Sequence, residues 1–312
     1  MFNNSYLKEH SVCTFDIETT GLSPDRDMII CAGFYNSRGE LIQIFADSPL
    51  EERIMIAQIL ERLSSYDAVI SYNGDRFDLP FLLTRAKKYS EVEKLPVFWS
   101  IDLYKWLRYY WPAAATMKSL SQKSVEKALG IQSERSDLIS GGECIALYNS
   151  FLASGDPDAK EKILLHNADD LRQLLRIAEA TSFLPYHEIA FNEGFLVKTE
   201  DLRIVTKAAR MESGRLKLSA LTSPGLLPAS IYEDGFSLDY DSFSGLIDLE
   251  IFISQIDAYR YADLQKLPVS SAKFQELPSF HSSYLVLAEN DEIDFKAANI
   301  LTAEILKTCL KR

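Results

Sequence analysis

The sequence has little cysteine and no long apolar run. Its four cysteines, Cys13, Cys31, Cys144 and Cys309, form neither a CxxC pair nor an even series of spacings. Disulfide scaffolds and zinc fingers require such patterns, so we expect a reduced, cytoplasmic protein without a zinc site. No stretch approaches the about 20 apolar residues of a membrane helix, and the opening residues lack a signal-peptide pattern. The sequence therefore predicts no association with a membrane.

Positive charge is also scarce. The 312-residue chain has 33 basic and 45 acidic side chains, a net charge of −12, whereas nucleic-acid-binding proteins usually carry a basic excess. The charge is uneven, because residues 85–130 contain 9 basic and 4 acidic side chains. We call residues 85–130 the basic segment. The chain as a whole is 47% apolar and 25% charged, which indicates a globular protein with a hydrophobic core.

Two different patterns divide the chain. Residues 1–186 alternate short apolar strands with amphipathic helices, which predicts an α/β domain with a mixed central sheet flanked by helices. Ser48, Pro49 and Glu51 predict a capping box at the start of one helix. Residues 187–312 contain mainly alternating strands and end in an amphipathic helix. They predict a smaller β-rich domain, to which no motif assigns a role.

The strongest chemical signal is a pair of acids in the first predicted strand. Asp16 and Glu18 are two residues apart, so their side chains project from the same face of that strand. Adjacent carboxylates repel each other unless a cation lies between them, and oxygen ligands suit Mg²⁺ or Mn²⁺. A Thr-Thr-Gly sequence follows directly, which makes the pattern more specific than an isolated acidic pair.

A third acid follows the end of a later strand. Asn73 and Gly74 form a predicted turn, and Asp78 begins a predicted helix after Phe77. Taken alone, Asp78 is more often an N-cap residue than a metal ligand. Its position beside Asn73 and Phe77, in a chain that also contains Asp16 and Glu18, favours a functional role.

The fourth acid lies in the last long helix of the first domain. His166 and Asp170 are four residues apart and therefore share a helical face. Such a histidine could orient or deprotonate a water molecule, although a lone helical histidine is more often a packing or surface residue. Asp169 is the competing ligand, and its alternative role is an ion pair with Arg172 or Arg176. The spacing favours Asp170.

Together these residues resemble a known family. Asp16-x-Glu18, Asn73-x₃-Phe77-Asp78 and His166-Asn167-x-x-Asp170 resemble the three motifs of the DEDD superfamily of 3′–5′ exonucleases, which has a ribonuclease-H-like fold. Lys118-Ser119-Leu120, Leu129-Gly130-Ile131 and the HNxxD form of the third motif are similar to its YprB-like branch. The resemblance covers about residues 10–183. His166 has the spacing at which one group of the superfamily has a tyrosine.

The resemblance implies a two-metal reaction on nucleic acid. Asp16 would bridge two Mg²⁺ or Mn²⁺ ions, Glu18 and Asp170 would complete one site, and Asp78 would hold the other. His166 would act as a general base or only orient the attacking water. The residues implied to contact the 3′-terminal nucleotide are Thr19, Thr20, Gly21, Leu22, Asn73 and Phe77. Core packing is the alternative role of Leu22 and Phe77.

The basic segment mixes cations with aromatic residues. Lys105, Arg108 and Lys118 could bind the phosphates of a single strand, while neighbouring tryptophans and tyrosines stack on its bases. The helical spacing of Leu103, Trp106 and other apolar residues also fits a core, with the cations simply solvated. We expect the aromatic residues to be core and the three cations to contact the strand.

The leading functional hypothesis is a 3′–5′ exonuclease acting on single-stranded ends of DNA or RNA. The alternative is a catalytically silent module that binds nucleic acid or a protein partner on the same fold, which the intact set of four acids disfavours. A third hypothesis, the proofreading part of a family-B-like polymerase, is disfavoured because residues 187–312, which follow the predicted exonuclease domain, are too few to form a polymerase.

Overall fold

The chain divides into two compact units, Met1–Leu184 and Pro185–Arg312. The structure is a computed structural model and describes residues 5–131, 135–136, 139, 141–223 and 228–310. Within these ranges, no helix combines the length and the apolar character needed to cross a lipid bilayer.

The first unit is built on a five-stranded mixed sheet. Its strands are β1 (Val12–Thr19), β2 (Ile29–Asn36), β3 (Leu41–Phe45), β4 (Ala68–Ser71) and β5 (Trp99–Asp102). Their order across the sheet is β3-β2-β1-β4-β5. The β1–β2 and β2–β3 pairs are antiparallel, whereas β4 runs parallel to β1 and β5 runs parallel to β4. The predicted α/β class with a mixed sheet is confirmed.

In the described residues of the first unit, six α-helices accompany this sheet. They are α1 (Glu52–Ser65), α2 (Asp78–Lys88), α3 (Leu103–Tyr110), α4 (Gln122–Ala128), α5 (Gly141–Ser154) and α6 (Pro157–Ala180). The predicted capping box before α1 is wrong. Pro49–Glu51 form a 3₁₀ turn, the Ser48 side chain makes no capping hydrogen bond, and the Glu51 carboxylate instead accepts from the backbone N–H of Asp47 at 3.0 Å.

Strand β1 has two chemically different faces. Cys13, Phe15 and Ile17 are buried in a hydrophobic cluster that includes residues of α1 and α2. The intervening side chains point to the opposite face, where the Thr14 hydroxyl donates to the backbone carbonyl of Leu171 in α6 at 3.1 Å. This alternation follows from the two-residue period of a strand. It places Asp16 on the same face as Thr14, toward α6.

The second unit contains two antiparallel sheets and two helices. Its elements are α7 (Tyr186–Glu193), β6 (Leu196–Lys198), β7 (Arg203–Thr206), β8 (Arg210–Glu212), β9 (Arg215–Thr222), β10 (Ala229–Tyr232), β11 (Phe236–Tyr240), β12 (Leu246–Phe252), β13 (Ser254–Ile256), β14 (Tyr259–Asp263), β15 (Phe280–His281), β16 (Tyr284–Glu289), β17 (Glu292–Ile293) and α8 (Phe295–Cys309). One sheet has the order β10-β11-β12-β9-β7-β6, with β8 paired to β9. The other has the order β13-β14-β16-β15, with β17 paired to β16. The predicted β-rich character and terminal helix are confirmed.

Candidate active site

Three of the four predicted acids lie within reach of one ion. Asp16, Glu18 and Asp170 each offer a carboxylate oxygen, and these oxygens lie within 4.8 Å of one another. Asp16 and Glu18 project from β1, whereas Asp170 projects from α6. We call these three residues the acidic cluster. The alternation of β1 and the packing of α6 against β1 therefore bring together acids that are far apart in sequence.

Asp78 approaches the same region from the start of α2. It is only 4% exposed, and its Oδ1 accepts a hydrogen bond of 3.1 Å from the backbone N–H of Ile17 in β1. Burial, opposed by this hydrogen bond and assisted by the charge of Asp102, raises the pKa of Asp78 to about 7. Asp78 is the first residue of the helix and Phe77 is its N-cap, so the capping role considered for Asp78 is not the one it has.

The carboxylates create a local excess of negative charge. Burial raises the pKa of Asp16 well above its usual range, and the charges of Asp78, Glu18 and Asp170 raise it further. A divalent cation would relieve this repulsion, and carboxylate oxygens are the ligands preferred by Mg²⁺ and Mn²⁺. The acidic cluster and Asp78 therefore fit a divalent metal centre.

His166 and Asp169 occupy different sides of α6. His166 is buried, and its Nε2 lies 3.7 Å from Glu18 Oε1 and 3.5 Å from Asp170 Oδ2. Asp169 faces elsewhere, because its carboxylate accepts from the backbone N–H of Ser136 at 2.5 Å and pairs with Arg172 at 3.1 Å. Asp170, and not Asp169, therefore shares the cluster with Glu18.

Asn167 connects α6 to Asp16. Its Nδ2 donates to Asp16 Oδ2 at 3.0 Å, and its Oδ1 accepts from the side-chain amide of Gln43 at 2.9 Å. The close approach depends on Gly33, because a Cβ there would lie 2.1 Å from Asn167 Oδ1. The HNxxD motif contains Asn167, but its contact with Gln43 and Gly33 depends on tertiary structure that the sequence did not reveal.

Arg135 is a neighbour of the acidic cluster that the motifs did not identify. Its guanidinium forms ion pairs with Asp170 and with Glu126, and the Nε–Oε2 hydrogen bond to Glu126 measures 2.6 Å. The guanidinium and Glu126 are almost completely buried. One oxygen of Asp170 is thus held by a cation of the protein, which fixes the orientation of this carboxylate.

Cys144 is another neighbour of the acidic cluster that the motifs did not identify. It is fully buried in α5, and its thiol, the imidazole of His166 and the carboxylate of Glu18 have ligand atoms within 4.8 Å of one another. Burial, and then the neighbouring charge of Glu18, raise the pKa of the Cys144 thiol, so its sulfur carries a proton. The spacing of the four cysteines contained no signal for this contact.

The acids line a cleft of about 630 Å³ that also contains most of the implied nucleotide contacts. Thr19, Gly21, Leu22, Asn73 and Phe77 line it together with the four acids and His166. Thr20 is not among the lining residues, because its hydroxyl accepts from the backbone N–H of Met28 at 2.9 Å.

The two apolar residues of this set differ in exposure. Leu22 is 83% exposed, so core packing does not explain its position. Phe77 is partly buried against the core, with its ring centroid 5.6 Å from that of Phe81. Phe77 therefore contributes both to the core and to the cleft wall.

The expected cationic contacts lie elsewhere. Lys105 and Arg108 line a separate cleft of about 190 Å³, because α3 directs them away from the acids. Lys118 is exposed and lines neither of these two clefts in the described part of the chain. The cations that do line the acidic cleft are Lys123, from the basic segment, and Arg135. Trp99 and Trp106 are core residues.

Comparison with known proteins adds a family context. A sequence profile of the RNase H superfamily matches residues 13–182. A segment of the chain is 37% identical over 86 residues to a protein of Methanocaldococcus jannaschii named DNA polymerase, and it is 34% identical over 87 residues to DNA polymerase 2 of Aeropyrum pernix. These matches span 24% and 26% of this chain but only 5% and 11% of the two relatives.

Two solved structures are also similar. The family B DNA polymerase of Pyrobaculum calidifontis aligns with a TM-score of 0.46 and 21% identity, covering 57% of this chain and 25% of the polymerase. A structure described as the apo form of the nuclease aligns with a TM-score of 0.30 and 16% identity, covering 55% of this chain and 81% of that one.

Proposed function

The chain belongs to the RNase H superfamily, and on that premise we propose that its first unit is a metal-dependent 3′–5′ exonuclease for single-stranded DNA or RNA. The observation that carries the proposal is the convergence of Asp16, Glu18 and Asp170 within 4.8 Å, with Asp78 and His166 lining the same open cleft. A structural site would not need several like charges converging at one point, because their repulsion lowers stability.

Two further observations support the same proposal. Both curated relatives are named as DNA polymerases, and polymerases act on nucleic acid. The order of the acids in the chain resembles the DEDD exonucleases, and the HNxxD motif resembles their YprB-like branch. The proposal concerns the exonuclease-like segment, since the matched segments span only a small part of each polymerase.

Each acid has a distinct task in the proposed reaction. Two Mg²⁺ or Mn²⁺ ions would be held by Asp16, Glu18, Asp78 and Asp170. When bound, these ions would supply an activated water and would stabilise the charge that develops on the phosphate and the leaving 3′-oxygen. Asn167 and the Ile17 backbone N–H keep the carboxylates of Asp16 and Asp78 in place.

His166 is proposed to act on the attacking water. Its Nε2 lies close to both Glu18 and Asp170, so a water held by these acids is within reach of the imidazole. Neutral imidazole can accept a proton near neutral pH, which suits a general base. If the histidine acts as the base, its replacement lowers the rate and alters the pH dependence, whereas an orienting role alone changes the rate without altering that dependence.

The cleft rim is proposed to hold the last nucleotide. Leu22 is exposed and can wedge against a terminal base, while Asn73 and Phe77 line the same cleft. A cleft lined by four acids disfavours a long phosphate track. Binding is therefore expected to be confined to strand ends, metal-dependent and sensitive to salt.

The test is a gel series with 5′-labelled single-stranded DNA and RNA in Mg²⁺ and in Mn²⁺. A descending ladder from full length would establish 3′–5′ polarity and sugar preference together. Asp16→Ala and Asp170→Asn are expected to abolish the ladder, and His166→Ala is expected to leave a trace of it. Glu161→Gln removes an exposed acid from the same helix and is the control that should cleave like the parent.

Two results would count against the proposal. Full activity in Asp16→Ala would show that another site or a contaminant cleaves the substrate. Calorimetry that detects Mn²⁺ binding without cleavage of either substrate would instead favour the silent binding module.

A further inference from the structure

A second donor set overlaps the acidic cluster. It consists of Glu18 from β1, Cys144 from α5 and His166 from α6, which we call the Cys–His–Glu trio. Each residue offers one ligand atom, these atoms lie within 4.8 Å of one another, and all three residues are buried. Three elements that are separate in the chain therefore deliver three different kinds of metal ligand to one point.

The chemistry of this trio differs from that of the acidic cluster. Mg²⁺ prefers an all-oxygen shell, whereas Zn²⁺ accepts thiolate sulfur, imidazole nitrogen and carboxylate oxygen together. Three protein ligands with a free fourth position for water are a common zinc arrangement. The sulfur and nitrogen atoms of the trio thus select for a softer ion than the one proposed for hydrolysis.

The spacing of the donor atoms also suits zinc. His166 Nε2 lies 3.7 Å from Glu18 Oε1. Zinc–nitrogen and zinc–oxygen bonds of about 2.0–2.1 Å in a tetrahedron place such donors roughly 3.3 Å apart. The observed His166–Glu18 separation needs only a small side-chain adjustment to reach that value, and the Cys144 sulfur lies within 4.8 Å of a ligand atom of each.

From these observations we propose that Glu18, Cys144 and His166 form a Zn²⁺-binding site, and that its occupation blocks the reaction centre. On binding, the Cys144 thiol loses its proton to solvent and the thiolate ligates the ion. Glu18 and His166 are then withdrawn from the proposed hydrolysis. The binding depends only on the trio, whereas the inhibition rests on the proposed exonuclease function.

The competing explanation is that Cys144 only fills space. It packs in an apolar cluster with Ile30, Cys31, Tyr148 and Ile163, and a buried free cysteine commonly serves as a small apolar residue. This explanation predicts that zinc does not bond to the Cys144 sulfur. A measurement that detects metal–sulfur bonding therefore separates the two.

The first experiment uses Co²⁺ as a spectroscopic substitute for zinc on the full chain. The proposal predicts a thiolate-to-cobalt charge-transfer absorption in the near ultraviolet, removed by one equivalent of Zn²⁺ and lost in Cys144→Ala. Cys309→Ala is the matched control, because Cys309 is the partly exposed cysteine of the four and is where adventitious binding would occur. A band that survives Cys144→Ala or disappears in Cys309→Ala would overturn the proposal.

A second measurement does not depend on any variant. Zinc-edge X-ray absorption of the parent protein with one equivalent of Zn²⁺ should show one sulfur at about 2.3 Å beside nitrogen and oxygen ligands. A shell of nitrogen and oxygen alone would overturn the proposal even if Cys144→Ala failed to fold.

The inhibition is tested separately. In Mg²⁺, with each rate expressed relative to the zinc-free rate of the same protein, Cys144→Ala should raise the zinc concentration for half-inhibition at least about tenfold, as expected when a metal site loses a ligand. An unchanged inhibition constant would disprove the regulatory part. If the protein hydrolyses no substrate at all, the exonuclease proposal fails, while the cobalt and X-ray measurements still decide whether zinc binds.

Discussion

The two units of the chain treat buried charge in opposite ways. In the described residues, the second unit buries only uncharged polar side chains, those of Thr206, Thr222, Asn299 and Thr302. The first unit buries many charged ones, which are Glu18, Glu52, Asp67, Asp78, Arg85, Asp102, Glu126 and Asp169. Burial of a charge costs free energy unless a partner compensates it. Burial of charge therefore costs folding free energy in the first unit but not among the described residues of the second.

The buried charges of the first unit fall into two groups. Glu52 is paired with Arg85 and Glu126 with Arg135. These groups are compensated within the protein. Asp78 and Asp102 are compensated only in part, and so is the partly exposed Asp16, because the pKa values of all three remain raised. Two of these three residues, Asp16 and Asp78, line the cleft in which a metal ion is proposed to bind.

The largest expected effect comes from removing a charge of the second group. Asp78→Asn should reduce hydrolysis below detection and at the same time raise the melting temperature of the metal-free protein at pH 7. The reason is that the amide keeps the size of the side chain but removes a buried, repelled charge. Asp248→Asn, at an exposed position in β12, should change neither quantity. A lower melting temperature in Asp78→Asn would contradict the comparison.

The same variant also tests how the stability of the metal-free protein depends on pH. The pKa of Asp78 is about 7 in the folded state and about 3.8 when the group is unperturbed. The folded protein therefore binds this proton more tightly, and the stabilisation is complete below about pH 4 and is lost as the pH rises through about 7. Thermal melts of the metal-free protein should show this decline, with a shallower slope in Asp78→Asn.

The second-largest expected effect comes from breaking an ion pair between buried charges that compensate each other. Arg85→Met leaves Glu52 buried without its partner and should cost about 3–5 kcal/mol of unfolding free energy. Arg215 and Glu250 form a similar pair in the second unit, but their side chains are 47% and 30% exposed, so Arg215→Met should cost less than about 1 kcal/mol. Urea unfolding followed by circular dichroism measures both. Equal costs would show that burial does not distinguish the units.

The third effect tests the support of the acidic cluster. Asn167→Ala removes the hydrogen bond to Asp16 Oδ2, and loss of such a supporting contact typically costs about 10–100-fold in metal affinity or activity. Mn²⁺ titration and hydrolysis rates should both show the loss. Asn149→Ala, at an exposed position in α5, should behave like the parent. Unchanged Mn²⁺ affinity in Asn167→Ala would assign Asn167 to packing alone.

The smallest effect concerns exposed apolar residues. Leu22 in the first unit is 83% exposed, and Phe243 in the second is 92% exposed, so truncating either to alanine should change the unfolding free energy by less than about 0.5 kcal/mol. Only Leu22→Ala is expected to raise the KM for single-stranded substrate, with kcat retained. An equal rise in Phe243→Ala would show that the second unit also contacts the strand.

Some residues of the candidate site could be predicted from the sequence, and others could not. Asp16 and Glu18 share a face because of the strand period, and His166 and Asp170 share one because of the helix period, so local spacing was sufficient. Arg135 and Cys144 have no local signal, because their contacts with Asp170 and Glu18 arise only when α5 and the segment after α4 fold beside the cleft. The interleaving of cations with aromatic residues in the basic segment predicts that Lys105 and Arg108 contact the strand, but α3 places both beside another cleft.

Gly33 has a consequence for judging related sequences. The amide of Asn167 occupies the space where a side chain at position 33 would begin, 2.1 Å from the position of a Cβ. Even the single methyl group of alanine would have to displace Asn167, and with it the hydrogen bond that holds Asp16. A relative that retains all four acids but carries a larger residue at this point is expected to lose about 10–100-fold in metal affinity or activity, as in Asn167→Ala. The presence of the acids is thus not a sufficient criterion for an active enzyme.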